Sequence, residues 1–323
     1  MDTNCRAGLI EPASGATLSL VLDSGTLFGD QNQETMFTAF SVSDSMTSDA
    51  VSRAVYAVGA PVQPLVNGPI NLVPIISPTV SGVFDGPSAT YTCTTTGPYF
   101  FSASVGVPAN TQTRVQITND VLPVELTRNS LNYNGVTTLS RSTILQCNAG
   151  QKVELNLLTG MVVQSGTAGF QYNLTSFTAF PYLPRNVSQP VAWAAYKDYI
   201  VESIGGPTDP LYFTNVTVNI GNAYSEQSNT VIAPVAGYYY MNLNVGAGIN
   251  KTLELTLQRQ NEVFFAIDHT TTNLNAEDSY SHSVIVLLAA GDVVRAVALT
   301  DSTIFSGVVG YQTAFVGMLL YGV

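Results

Sequence analysis

The chain has little charge. Of its 323 residues, 10% are Asp, Glu, Lys or Arg, where about 25% is usual. Only eleven are basic, and the net charge is −11. Nucleic acid and anionic membrane surfaces are bound by clustered Lys and Arg, so both are excluded as partners. Long apolar runs are missing too. The longest, Val284–Ala290 and Phe315–Leu320, have strand length and fall short of the ~20 residues that span a bilayer, so no membrane insertion is expected. The N-terminus "MDTNCRAGLIEP" has no basic region leading into an apolar core and does not read as a signal peptide. A secreted protein would therefore be seen here in a mature or trimmed form; the other reading is cytosolic.

Catalytic signatures are equally scarce. There are two histidines, His269 and His282, with no His-x-x-x-His or Cys-x-x-Cys spacing, which argues against zinc. No Gly-x-Ser-x-Gly elbow occurs. The turn-like "GGPTDP" at 205–210 lacks the Lys-Ser/Thr of a phosphate loop. His282, within the alternating "YSHSVIV", reads as a surface strand residue. With no nucleophile–base pair visible, the protein is expected not to be an enzyme. The three cysteines are Cys5, Cys93 and Cys147. Cys147 falls at a core strand position, and a buried free thiol or a bond to Cys93 both fit the sequence.

Helical periodicity is nearly absent. Instead the chain is built of short β-branched and aromatic runs such as "TRVQIT", "KVELNLL", "TLELTLQ" and "DVVRAVAL", separated by Gly, Pro and Asn. This predicts an all-β sandwich or barrel. Apolar content of 46% is enough for a large core.

The runs repeat. "GPYFFSASV" (97–105) aligns with "GYYYMNLNV" (237–245), and "AGQKVEL" (149–155) with "AGDVVRA" (290–296). "SFTAF" (176–180) aligns with "AFVGM" (314–318), and "TAFSV" (38–42) with "VAWAAY" (191–196). The order is the same in both halves and the offset stays near ~140 residues, as expected of a duplicated unit. The Pro-rich "FPYLPRNVSQP" between them reads as a linker. The expected organisation is an extension over 1–34, a first domain over 35–183, a linker over 184–190 and a second domain over 191–323.

In "GYYYMNLNV", Tyr239, Met241, Leu243 and Val245 share one strand face and Tyr238, Tyr240, Asn242 and Asn244 the other. In the last strand Phe315, Gly317 and Leu319 alternate with Val316, Met318 and Leu320, so both faces are apolar. A two-layer sandwich buries only one face of each sheet, and the other face needs a partner.

These residues resemble the globular head of complement C1q and its tumour-necrosis-factor-like relatives. That family's aromatic–Asn–aromatic–aromatic–Gly-x-Tyr-x-Phe spacing is met by Phe213, Asn219, Tyr224, Val231, Gly237, Tyr239, Met241 and Leu243. Val231, Met241 and Leu243 are aliphatic where the family is aromatic. The first half meets the same gaps with Val73, Thr79, Phe84, Tyr91, Gly97, Tyr99, Phe101 and Ala103, departing at Val73, Thr79 and Ala103. A later Gly-Asp-x-Val element is intact at Gly291–Val294 and altered at Gly150–Val153.

The resemblance implies two tandem ten-stranded jelly rolls that trimerise. It implies a secreted, pattern-recognising protein of the innate-immunity kind that binds glycans or other proteins. The usual collagen stalk is missing, since no Gly-x-y run occurs. The homotrimer interface would comprise Tyr238, Tyr240, Phe100, Val316, Met318 and Leu320.

Loops carry binding on rigid β scaffolds. The polar stretch 268–281 holds Glu277 and Asp278 and a sugar-stacking candidate, Tyr280; Asp301 is a further acidic candidate. Because some family heads bind calcium, these acids are weighed as its ligands, carboxylates being the right hard donors. The matching stretch of the first half, near Arg128 and Arg141 with Arg114 close by, is basic instead. The sequons Asn173, Asn186, Asn215 and Asn250 are glycosylation candidates. A second reading makes the protein a structural or surface-assembly component of a matrix, virus or spore.

Overall fold

The structure is a computed structural model. It describes residues 46–59, 67–119, 121–129, 137–163, 174–184, 187–198, 201–204, 210–247, 252–260, 262–270, 278–299, 302–305 and 311–323. Among the described residues one short helix, α1 (Ser48–Ser52), is capped by Thr47, whose hydroxyl accepts from the Ala50 N–H. The other described elements are strands, and the fold is all-β.

The first half runs β1 (Val55–Gly59), β2 (Gly68–Pro69), β3 (Leu72–Ile76), β4 (Phe84–Asp85), β5 (Thr90–Thr92), β6 (Gly97–Val107), β7 (Gln112–Thr118), β8 (Pro123–Asn129), β9 (Thr137–Cys147), β10 (Lys152–Thr159) and β11 (Ser176–Pro181). One sheet has the order β3-β1-β11-β6-β9. The other is β4-β5-β10-β7-β8, with β2 added on β10.

The second half runs β12 (Ala192–Tyr196), β13 (Val201–Ile204), β14 (Asn215–Ile220), β15 (Tyr224–Ser225), β16 (Thr230–Ile232), β17 (Gly237–Ala247), β18 (Thr252–Arg259), β19 (Glu262–Thr270), β20 (Asp278–Leu288), β21 (Val293–Ala298), β22 (Ser302–Phe305) and β23 (Ala314–Gly322). There β14-β12-β23-β17-β20 repeats the first sheet, with β22 and β13 attached at one end of β17. The second sheet, β15-β16-β21-β18-β19, repeats its counterpart. Neighbouring strands in each sheet are mostly distant in sequence and antiparallel, the connectivity of a jelly roll.

Period-2 alternation decides what each sandwich buries. In the second half Tyr239, Met241, Leu243 and Val245 from β17 meet Trp193, Phe315 and Leu319, and all are buried. Gly317 is required there, because a Cβ would collide with the Trp193 ring. In the first half Tyr91, Tyr99, Phe101 and Phe177 pack together, with Tyr91 edge-on to Phe101 at 5.7 Å. Both cores settle a buried tyrosine hydroxyl in the same way. Tyr99 donates to Thr95 O at 3.1 Å and Tyr239 to Val235 O at 2.7 Å, each four residues back.

Candidate functional site

The outward face of the second half is covered within the same chain. Tyr240, Val316, Met318 and Leu320 belong to one buried cluster with Phe100, Phe180 and Ile144 of the first half. Tyr240 stands edge-on to Phe100, and Phe100 stacks on Phe180 at 4.9 Å. The resemblance implies that another copy supplies the covering sheet; for Tyr240, Phe100, Val316, Met318 and Leu320 the other half of the same chain supplies it. Of the six residues named for the trimer, Tyr238 alone stays open, 42% exposed.

The contact is edge on face. β9 is the last strand of its sheet, so its outer carbonyls need partners. Tyr196 Oη lies 3.4 Å from Ile144 O, and Asn244 Nδ2 donates to Ser142 O at 3.1 Å. The Tyr196 hydroxyl also bonds the Thr143 hydroxyl, and burial pushes its pKa up. Beside this lies a charged node. Arg141 is fully buried and donates through Nη1 to Glu125 O and to Gln312 O, each at 2.8 Å, and through Nη2 to Tyr311 O. Burial draws its pKa down to about 10, which leaves it cationic at neutral pH. The Glu125 carboxylate receives both nitrogens of an Arg114 fork at 2.7 and 2.8 Å, and Gln312 Nε2 donates to Thr127 Oγ1 at 3.0 Å. Arg114 and Arg141 thus serve an ion pair and the seam between the halves, and the side chain of Arg128 lies outside the described residues. Tyr182, just after β11, places its hydroxyl 2.8 Å from Val191 O and 3.0 Å from Leu319 O.

Two expectations for residues 268–281 are corrected. Tyr280 is buried in the second core and its hydroxyl donates to Asp278 Oδ2 at 3.0 Å; Asp278 is buried too. The reason is the period: β20 begins at Asp278, and Tyr280, His282 and Val284 point inward while Ser279, Ser281 and Ser283 point outward. Neither Tyr280 nor Asp278 is therefore a surface ligand. His282 is not a surface residue either. It is buried, stacks flat on Phe265 with ring centroids 4.5 Å apart, and burial lowers its pKa to about 4. Glu277 and Asp301 lie outside the described residues, as do Asn173, Asn186 and Asn250. Asn215, on β14, is half-buried and donates to Tyr311 Oη at 2.8 Å, so its amide already serves the fold. Among the described residues, no three His, Cys, Asp or Glu side chains are grouped to hold a metal.

An exposed apolar surface lies around the outer end of β17 and β20. Tyr238 lies between Leu287 and Tyr321 in register, edge-on to Tyr321 at 6.4 Å. Leu287 is 50% exposed and Val323 76%. An open groove of ≈ 680 Å³ runs beside them, lined by Val263, Phe264, Ile285, Leu287 and Val323 with Arg259 at its rim. Arg259 is anchored on Asp292 at 2.7 Å and on Glu262, and its guanidinium lies over the Phe264 ring at 5.9 Å. The Ala289 N–H and Arg259 hold the Asp292 carboxyl below the usual carboxylate range. Ile285 and Tyr321 also pack against the seam cluster, so the surface continues the contact between the halves. No sequence signal distinguished it from the buried outward face, since both read as apolar on alternate positions.

Among known protein families, the C1q domain model matches residues 200–320. No curated protein matches the chain. Similar solved structures include the globular domain of zebrafish complement 1qA, at 13% identity over 42% of this chain and 100% of that one, with a TM-score of 0.33. A second is the Eiger TNF of S. frugiperda, at 10% identity over 42% and 94%, with a TM-score of 0.34. A third is the tandem CBM51 pair of a family 98 glycoside hydrolase from Streptococcus pneumoniae, at 10% identity over 74% and 83%, with a TM-score of 0.19. The C1q match supports a non-enzymatic binding role for the second half. The first half shares its strand order, its core register and its spacing of motif residues. No helix among the described residues is long and apolar enough to cross a membrane.

Proposed function

We propose that the protein is a secreted, non-enzymatic recognition protein. Its two C1q-like heads span 35–183 and 191–323, follow an extension over 1–34, and are joined by residues 184–190. Chains assemble as homotrimers and bind glycans or proteins through the loops that connect the strands. The observation that carries this reading is the C1q-domain match over 200–320 together with the same sheet order in the first half. A rigid pair of heads in each chain, repeated in the oligomer, would raise weak single-site binding by avidity. The decisive experiment screens the purified full chain on a glycan and protein panel and measures its mass in solution. Saturable binding by a trimeric species supports the reading; a stable monomer removes the trimer, and an empty panel removes the recognition role.

A second reading, a structural or surface-assembly protein, is favoured by one observation, the exposed Tyr238–Leu287–Val323 surface. Edge-on-face contacts are heterologous and can propagate into open arrays where the rotation does not close. Mass that keeps growing with concentration, without ligand binding, would favour this second reading.

A further inference from the structure

Cys93 and Cys147 lie side by side in the first half. Cys93 follows β5 in one sheet and Cys147 ends β9 in the other. Both are buried and free, and both belong to the core cluster of the first half. The backbone holds the two segments together. The Cys93 N–H donates to Gln151 O at 2.8 Å, and the Gly150 N–H donates to Cys93 O at 2.7 Å. Gly150 and Gln151 belong to the turn that leaves Cys147, closed by the Gln151 N–H on Asn148 O at 3.0 Å. The turn that carries one cysteine is therefore pinned to the other.

The second half shows what the fold itself asks for at this place. There the Ala233 N–H donates to Asp292 O at 2.9 Å, and the Gly291 N–H donates to Ala233 O at 2.8 Å. Ala233 thus stands where Cys93 stands. Leu288, paired with Gly237 as Cys147 is paired with Gly97, stands where Cys147 stands. Both are buried in the second core. An ordinary apolar pair fills the site, so packing alone does not call for sulfur. In the first half both members are cysteine.

We propose that Cys93 and Cys147 form a covalent cross-link site, closing to a disulfide that ties the two sheets of the first half together at one end. Oxidised glutathione, or a disulfide of that class, supplies the oxidising equivalents. One cysteine thiolate attacks a glutathione sulfur and expels a glutathione thiolate. The second cysteine thiolate then attacks the protein sulfur of the mixed disulfide and expels the other glutathione. Two electrons and two protons pass from the protein to one glutathione disulfide, which leaves as two thiols. In the folded dithiol, the hydrogen bond from Cys147 and burial push the Cys93 thiol up, which depletes the reactive thiolate. Closure therefore belongs to folding, before the site is shut off from reagent.

The test uses the full chain, unfolded and reduced, then refolded in a mixture of reduced and oxidised glutathione. Remaining thiols are capped with iodoacetamide and the protein is digested without reductant. We expect a linked peptide pair containing Cys93 and Cys147, two hydrogens lighter than the separate peptides and split by reductant. We also expect the melting temperature of the refolded protein to drop on reduction. The variant Cys93→Ala/Cys147→Leu, which copies the second half, should fold and show no such drop. Recovery of both cysteines capped, joined to glutathione alone, or linked to Cys5 overturns the proposal, as does a melting temperature that reduction leaves unchanged. Because oxidant is supplied in the tube, the outcome is independent of whether the protein is secreted or binds glycans.

Discussion

The ring of Tyr240 stands edge-on to the ring of Phe100, with centroids 5.6 Å apart and planes at 85°, and the Tyr240 hydroxyl donates to Ser142 Oγ at 3.1 Å. One residue belongs to each half, so this pair couples the two sandwiches. Truncating either ring to Ala should destabilise the chain by about 3–5 kcal/mol, the usual cost of deleting a large buried aromatic. A double-mutant cycle should recover a coupling of about 0.5–1.5 kcal/mol. Tyr240→Phe should lose only the hydroxyl contact, about 1 kcal/mol. Denaturant unfolding of the wild type, the two Ala variants, their double variant and Tyr240→Phe measures all three values. Strict additivity of the two Ala variants would mean the rings do not support one another.

Arg141 is the electrostatic counterpart of that contact. Its guanidinium serves three backbone carbonyls, at Glu125, Tyr311 and Gln312, that lie on both sides of the seam. Arg141→Met keeps the aliphatic bulk and leaves buried acceptors without donors. We expect a loss of about 3–5 kcal/mol, in the range for breaking a buried charged network. Arg114 is partly exposed, with 41% of its side chain in solvent. Arg114→Met should cost less, because Thr127 and Gln312 still donate to the Glu125 carboxylate. Equal losses in urea unfolding would contradict this ordering.

Much of this architecture is legible in the sequence. The alternation in "GYYYMNLNV" sorts Tyr239, Met241, Leu243 and Val245 from Tyr238, Tyr240, Asn242 and Asn244, and the cores keep that sorting. The ~140-residue repeat also places Cys147 opposite Leu288. What periodicity cannot state is which body covers an outward apolar face. Tyr240 and Tyr238 have the same parity and the same chemistry, yet one meets the other half and one meets solvent. The reading of residues 278–281 as part of a polar loop is corrected for a different reason: they open β20. Serines alternate with Tyr280 and His282, and the polar letters hid a period-2 strand that was already present.

His282 gives a pH signature. It is buried against Phe265 and its pKa falls from 6.5 to about 4, while in the unfolded chain it titrates at its ordinary value. Above pH 6.5 the imidazole is neutral in both states and adds no pH dependence. Between 6.5 and about 4 the unfolded chain takes up a proton that the folded chain refuses, so stability falls as the pH falls. The full effect is at most about 3 kcal/mol. His282→Phe, which keeps a flat ring on Phe265, should flatten the stability profile in that window. A wild-type profile already flat between pH 6.5 and 4 would show that His282 is protonated in the folded protein.

Trp193 is the sole tryptophan in the chain and sits against Gly317. A methyl group at 317 has nowhere to go except into the indole, which is held by Phe315 edge-on at 5.6 Å. Gly317→Ala should therefore cost about 1–3 kcal/mol through overpacking. The same variant should change Trp193 emission in the folded state, since the ring must tilt or shift. An unchanged spectrum and an unchanged melting temperature together would mean that the β12–β23 pair opens to accept the methyl without strain.

The open apolar surface at the outer end of β17 and β20 yields a prediction about self-association. Tyr238, Leu287 and Val323 are solvent-exposed in one chain, while Ile285 and Tyr321 beside them are already half-covered by the first half. Aromatic and aliphatic anchors of this kind dominate interfaces once water is excluded, each large ring burying ~150–250 Å². Within the chain, the first half lays the edge of β9 on the second half's sheet. β20 is the equivalent edge of the second half, and Leu287 stands on it. A second copy that accepts this edge is the economical way to cover the patch. Leu287→Lys places a charge at its centre without touching either core, so folding stability should stay within about 0.5 kcal/mol. Self-association should weaken by at least an order of magnitude, since an unpaired ammonium would have to be buried. Sedimentation equilibrium of the wild type and the variant at matched concentrations reads the difference directly. If both proteins show the same oligomer distribution, chains associate through another surface and the Tyr238–Leu287–Val323 patch is left to a different partner.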